Sequence, residues 1–257
     1  MSLSSLVILF ALYSCIGWVL ETVYCSIPAQ KFVYRGFLVG PVCPIYGFGA
    51  IAVAFILAPF QNHPELVFLF GMILTSFLEY ASSVLLEKLF NKSWWDYSDR
   101  KFNVNGRICL MNSTLFGALS IFLIYVLHPM FTALLVRLPE TIVPVIAVSL
   151  TLVFSIDLFV TVRNTLDFNR EMGKLSELTD KIEQKRDELK TSMDAFRDGQ
   201  REKLEWELAA LVELQEESLA LFLRRMRRIL NAFPHMRLQR KDKLSLHDRL
   251  LSYRWKK

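Results

Sequence analysis

The sequence predicts an all-α integral membrane protein: five transmembrane helices, the second broken at glycine and proline, followed by a cytoplasmic antiparallel helical hairpin. Three observations carry this. Hydrophobic residues make up 53% of the 257, a high share for a soluble protein of this size. They are concentrated between residues 5 and 162, whereas 163–257 interleaves Glu, Lys and Arg with leucine. The apolar half also divides into runs of the length that crosses a ~30 Å hydrocarbon core, which takes about 20 residues of helix. The chain therefore divides into a transmembrane domain over 1–162, a coiled-coil-like hairpin over 163–233 and a basic amphipathic tail over 234–257.

The apolar runs cover roughly 5–26, 37–60, 66–90, 108–136 and 140–162. Lys31 and Arg35 follow the first, and Lys92, Arg100, Lys101 and Arg107 follow the third. By contrast, 61–65 has no Lys or Arg and 128–140 has only Arg137. The positive-inside rule then gives a multi-pass plasma-membrane protein, bacterial inner membrane in type, with the N-terminus outside and the C-terminus in the cytoplasm. No basic residue precedes the first run and no small-residue cleavage site follows it, so it reads as a retained span. The formal charge of +5 comes mostly from the C-terminal end, which points to anionic lipid headgroups as a partner and not to nucleic acid.

In the first span Glu21 lies near the inner end, where an ionisable group needs a partner or water, and Arg35 is one short loop away. The second span opens with Gly36, Gly40, Pro41, Pro44, Gly47 and Gly49 around Tyr46. Proline removes backbone donors and glycine permits close approach, so the cytoplasmic half is expected either to unwind or to kink. Unwound backbone at membrane depth survives only when buried in protein or lining a wet cavity. The third span carries Glu79 and Tyr80, with Thr75, Ser76, Ser82 and Ser83 at helical spacing, and ends in Glu87 and Lys88, which read as interfacial. Asn112 opens the fourth span, and the fifth has Pro144 as an expected kink and Asp157 near its inner end.

The loop between the third and fourth spans is too polar to cross and too aromatic for a flexible linker. Trp94, Trp95 and Tyr97 read as an interfacial belt. Asp96 and Asp99 suit either a Mg²⁺ held with a phosphorylated ligand or loop stabilisation. Arg35, Arg100 and Arg107 suit bidentate recognition of phosphate or carboxylate. The candidate ligand-binding residues are Glu21, Arg35, Tyr46, Glu79, Tyr80, Trp95, Asp96, Tyr97, Asp99, Arg100, Asn105, Arg107, Asn112 and Asp157, all on the cytoplasmic side with Glu79 deeper.

Beyond Arg163, Phe168, Leu175, Ile182, Leu189 and Phe196 recur every seven residues, with Met172, Leu178 and Met193 widening the seam. Asp198-Gly199 breaks the pattern, and a second amphipathic helix over 200–231 carries Leu204, Leu208, Leu211, Leu219, Phe222, Met226 and Ile229. Its return would bring Arg224, Arg225, Arg227 and Arg228 to the membrane surface, and its seam could pair two copies of the chain.

No Walker, GxSxG, HExxH or GxGxxG pattern occurs. The four histidines are dispersed and the four cysteines lie in or beside apolar runs without CxxC spacing, so no protein metal site is predicted and the thiols read as free or buried. The cofactor is undetermined, and enzyme or not stays open at this level.

GWxxE at 17–21, RGFLxGPxCPIYGFG at 35–49, LEY at 78–80 and WWDYSDRKFNxNGRICLxNS at 94–113 resemble the bacterial family of type IV ABC-transporter permeases over about residues 1–165. The resemblance implies a permease working with a separate ATPase. It marks Glu21, Arg35, Gly36, Pro41, Pro44, Tyr46, Gly47, Glu79, Trp95, Asp96, Tyr97, Asn105, Gly106, Arg107 and Asn112 as motif positions. The residues themselves fit three classes: a transport subunit with a polar cavity open to the cytoplasm, an inner-leaflet enzyme or binding protein acting on a lipid or phosphorylated headgroup, and a membrane-anchored sensor or scaffold whose hairpin is the output.

Overall fold

A computed structural model describes residues 1–191, 198–233 and 236. The chain is mostly helical: α1 (Leu3–Ala29), α2 (Pro44–Ile56), α3 (Pro64–Phe90), α4 (Leu110–Phe122), α5 (His128–Val136), α6 (Ile142–Thr191) and α7 (Asp198–Ala232). Between α3 and α4 lies a small antiparallel ribbon of β1 (Asn103–Val104) and β2 (Ile108–Cys109), in register Asn103 to Cys109 and Val104 to Ile108. Among the described residues four helical runs are long and apolar enough to cross a membrane: Leu3–Ala29, Pro64–Phe90, Leu110–Val136 and Ile142–Lys190. The shorter apolar helix is α2.

Local chemistry sets the boundaries. The Ser2 hydroxyl accepts the Ser5 N–H at 3.1 Å, capping α1. Pro64 opens α3, where its missing donor costs nothing, and Asn91 closes that helix at φ 53° with its N–H on the Glu87 carbonyl. Between α4 and α5 the helix widens over Leu123–Leu127, just before Pro129. Proline supplies no N–H and crowds the carbonyl four residues back, a cause of such wide turns. Pro144, expected to kink the fifth span, instead falls in the first turn of α6, where it removes no intrahelical bond.

The bundle is drawn together by close crossings at small residues, as packing between apolar helices requires. A Cβ on Gly17 of α1 would meet the Tyr46 ring, and one on Gly47 of α2 would meet Ser14 and Phe10. In the same way Gly71 of α3 faces Ser120 of α4, and Gly117 of α4 faces Phe68 of α3. Around the crossings, Leu9, Tyr13, Val53, Leu57, Val67, Leu123 and Phe131 form a buried core at the end that carries the N-terminus. On the outer side of α6, Val145, Val148, Val153, Ile156 and Phe159 are exposed, as lipid-facing residues are.

Residues 31–43 are not helical, which resolves the choice between kink and unwinding at the second span. The segment is pinned from α6: Asp157 accepts the N–H groups of Val39 and Gly40, both at 2.8 Å. Its far end is tied to α1 by the Cys43 N–H on the Ser14 carbonyl at 2.9 Å. An unwound strand leaves backbone donors that must find acceptors, and a carboxylate from a neighbouring helix supplies two.

At 50 residues, α6 is about 75 Å long at 1.5 Å per residue, far more than one crossing needs. Its second half packs antiparallel against α7, with Phe168 near Phe222 (5.0 Å between ring centroids), Thr179 bonded to Gln215 (2.8 Å) and Lys185 paired with Glu207 (3.0 Å). Helix α7 already begins at Asp198, so Asp198-Gly199 opens the second helix and does not form the turn. Met193 and Phe196 of the expected seam lie outside the described residues, as does the tail from 237 onward.

Candidate functional site

Five elements bring polar side chains to one end of the bundle. From α1, Glu21 Oε1 accepts from Arg35 at 3.0 Å, the pairing expected from their proximity in sequence. Its other oxygen lies 3.7 Å from the Cys43 thiol, a donor that the expected residue set did not include. From α2 comes Tyr46, held against Gly17 and within electrostatic range of Glu21, Tyr97 and Glu79. From α3 comes Glu79, only 7% exposed. The loop after α3 supplies Tyr97, whose hydroxyl donates to Glu79 Oε1 at 3.3 Å. Burial holds the Tyr97 phenol well above its usual range, so it stays a donor.

The ribbon delivers the second arginine. Asn105 and Gly106 sit at φ 52° and 61°, and the Arg107 N–H closes the turn on the Val104 carbonyl at 3.0 Å. A turn with two consecutive positive φ values selects Asn-Gly, the dipeptide present here; it was a β-hairpin signal legible in the sequence although no β-hairpin was predicted. The turn aims Arg107 at α3, where it donates to Ser83 Oγ at 2.9 Å and pairs with Glu87 at 2.6 Å. Glu87 therefore does not serve as the plain interfacial residue expected of it. Glu79, Ser83 and Glu87 lie four residues apart on one helix face, which was the available signal. Asn105 also donates to the Tyr80 hydroxyl at 3.1 Å, and the Arg107 guanidinium stands 5.6 Å from the Tyr80 ring centre.

Other expected site residues lie apart from this meeting point. Asp96 accepts the Ser98 N–H at 2.9 Å and the Ser98 hydroxyl at 2.5 Å, forming a local turn. Asp99 and Arg100 are exposed, with the Arg100 N–H on the Tyr97 carbonyl. Asn112 is half-buried in the first turn of α4. Trp95 donates to the Arg107 carbonyl at 2.9 Å, and Trp94 is buried among Phe37, Phe90 and Phe233. Of the aromatic belt expected of Trp94, Trp95 and Tyr97, Trp94 is packed inside the protein. Of the expected interior stripe, Ser76 bonds Ser113 of α4 at 2.7 Å, whereas Thr75 and Ser82 return to carbonyls of their own helix.

Helix α7 ends against this assembly. Arg228 donates to the carbonyls of Leu38 (2.9 Å) and Phe37 (3.4 Å), and Arg35 donates to the Ala232 carbonyl at the helix C-terminus. A cation at a helix C-terminus is favoured by the orphan carbonyls and the dipole. Phe233 lies beneath Arg35 and beside Trp94. Of the arginines expected at the membrane surface, Arg228 faces protein, Arg224 and Arg227 are exposed, and the side chain of Arg225 lies outside the described residues.

Lys92, named only as a basic loop residue above, is 1% exposed with its Nζ 3.2 Å from the centre of the Phe168 ring. Burial pushes its ammonium down to about 6, so near neutral pH the group over the ring is an amine, and the cation–π attraction operates only below that. Among the described residues no three His, Cys, Asp or Glu side chains come together to hold a metal ion, and all four thiols are unpaired.

No curated protein and no solved structure matches the chain. The family model described as "Putative ABC-transporter type IV" matches residues 8–162, which run from α1 through the membrane-length part of α6 and include Glu21, Arg35, Tyr46, Glu79, Tyr97, Arg107 and Asp157, so the chain belongs to that family.

Proposed function

We propose that this chain is the membrane subunit of a transporter, crossing the membrane five times with its N-terminus outside and its C-terminus in the cytoplasm. Its cargo path runs through the polar interior between α1, α2 and α3. The observation that carries this reading is the meeting of Glu21, Tyr46, Glu79 and Tyr97, from three helices and a loop, inside an otherwise apolar bundle. Ionisable groups at membrane depth are costly and mark substrate or ion pathways, and unwound backbone beside them is a feature of transporter sites. Family membership supports the same reading and points to a separate ATP-hydrolysing partner as the thing to look for.

In this reading α7 closes the cytoplasmic side. Arg228 and Arg35 latch its C-terminal turn to the unwound segment, and transport requires that latch to open. The test is isolation of the protein from its native membrane by a tag on this chain, followed by mass spectrometry and an ATP-hydrolysis assay. A stoichiometric subunit with nucleotide-binding motifs, whose hydrolysis falls several-fold with Glu79→Ala, is the expected result. Isolation as a lipid complex without any nucleotide-hydrolysing subunit would overturn the transport reading.

A further inference from the structure

Of the three carboxylates that α1 and α3 bring to the polar interior, two are paired with arginine and Glu79 is not. Arg35 has Glu21 at 3.0 Å, and Arg107 has Glu87 at 2.6 Å. Both arginines therefore already hold carboxylates, which leaves neither as a ready clamp for an anionic ligand. Glu79 has no such counterpart among the described residues. Tyr97 donates to its Oε1 at 3.3 Å, while Oε2 is buried and meets no hydrogen-bond partner.

The groups facing Glu79 offer it no cation. Glu21 on α1 is a carboxylate already held by Arg35, and Tyr46 on α2 and Tyr97 on the loop are neutral hydroxyls. On its own helix Ser76 is taken by Ser113 of α4, and Ser83 is taken by Arg107. A bare carboxylate in such surroundings is too costly to persist, so it must carry a proton or meet a cation.

We propose that Glu79, with Tyr46 and Tyr97, forms a binding site for a monovalent ammonium group, which a proton fills when no ammonium is bound. The geometry favours ammonium over a metal ion on two counts. Glu21 is engaged by Arg35, so the site offers one free carboxyl and not the several oxygens a metal demands. Two of its three groups are phenols, Tyr46 and Tyr97, with Phe116 6.0 Å from Tyr46 between ring centres, and aromatic rings attract organic cations. The exchange balances: a neutral Glu79 carboxylic acid and an alkylammonium ion give the carboxylate–ammonium pair and one released proton. This rests on the transport reading and adds the class of cargo, a cationic amine that enters as a proton leaves.

The test uses the full chain in lipid nanodiscs, with infrared difference spectroscopy of the carboxylic-acid carbonyl and a pH dye in weak buffer. The probes are alkylammonium chlorides from methyl to butyl, with sodium chloride as the ionic-strength control. The expected result is an acid carbonyl band that Glu79→Gln abolishes and Tyr97→Phe shifts. Alkylammonium should remove that band in the wild type and release about one proton per protein, as the one-site exchange requires, whereas sodium chloride should do neither.

If no band sensitive to Glu79→Gln exists, Glu79 is ionised at rest and the proposal fails. A band present but indifferent to every alkylammonium leaves a proton site alone and overturns the cargo class. Neither result bears on whether an ATPase co-isolates, so the two readings fail separately.

Discussion

Lys92 sits where an ammonium ion is expensive, against Phe168 and with no acceptor on its Nζ among the described residues. In the unfolded chain it titrates near its ordinary 10.5, and in the folded protein near 6. Between those values the unfolded state binds the extra proton, so stability rises with pH across that window at about 1.4 kcal/mol per unit and is flat below it. Lys92→Met should remove this slope and raise the melting temperature most at the acid end, measured by thermal unfolding in detergent from pH 6 to 9. An unchanged slope would mean that Lys92 is charged in the folded protein. The sequence showed Lys92 as one basic residue in a basic loop; its burial depends on α6 and α7, remote in the chain. Arg35 and Glu21 were legible as a pair because a short loop joins them, whereas the partners of Arg107 required the ribbon turn to aim it.

At the scale of elements, the glycines and prolines before Tyr46 correctly marked an unwound stretch, because neither residue supports a helix there. What they could not convey is that Asp157, more than 100 residues on, accepts two of the freed N–H groups, or that Arg228 covers two of the freed carbonyls. The unwound segment is thus satisfied from α6 on one side and α7 on the other. Arg228→Ala should release the last two turns of α7, raising their amide hydrogen exchange roughly tenfold or more for the loss of about 1.5–3 kcal/mol of charged hydrogen bonding. Exchange confined to its wild-type level would show that the apolar contacts of Phe222, Met226, Ile229 and Phe233 hold the helix without the latch. The seven-residue seam beyond Arg163 and the apolar residues of 200–231 read as two apolar faces, and Phe168 of the one stands 5.0 Å from Phe222 of the other between ring centres.

For the whole molecule, the proposed orientation rests on charge alone and is testable without function. In a background free of native cysteines, Asn62→Cys should react with a membrane-impermeant maleimide on intact cells, while Lys101→Cys should react only after permeabilisation. The reverse pattern would invert the proposed topology and place the Glu79 site toward the outside. The family match ends at residue 162, so α7 and the extension of α6 lie beyond it, yet their residues complete the packing around Trp94 and Lys92.

The sequence by itself determined the membrane class, the apolar runs, the family and the interruption at the second span, because length, hydropathy and local breakers act without regard to distant partners. Only the tertiary structure decided which charges cancel. Among the described residues, Arg35 and Arg107 each found a carboxylate, and Glu79 found a tyrosine hydroxyl but no cation, because in an apolar interior the energy of a charge is set by what stands within a few ångströms of it.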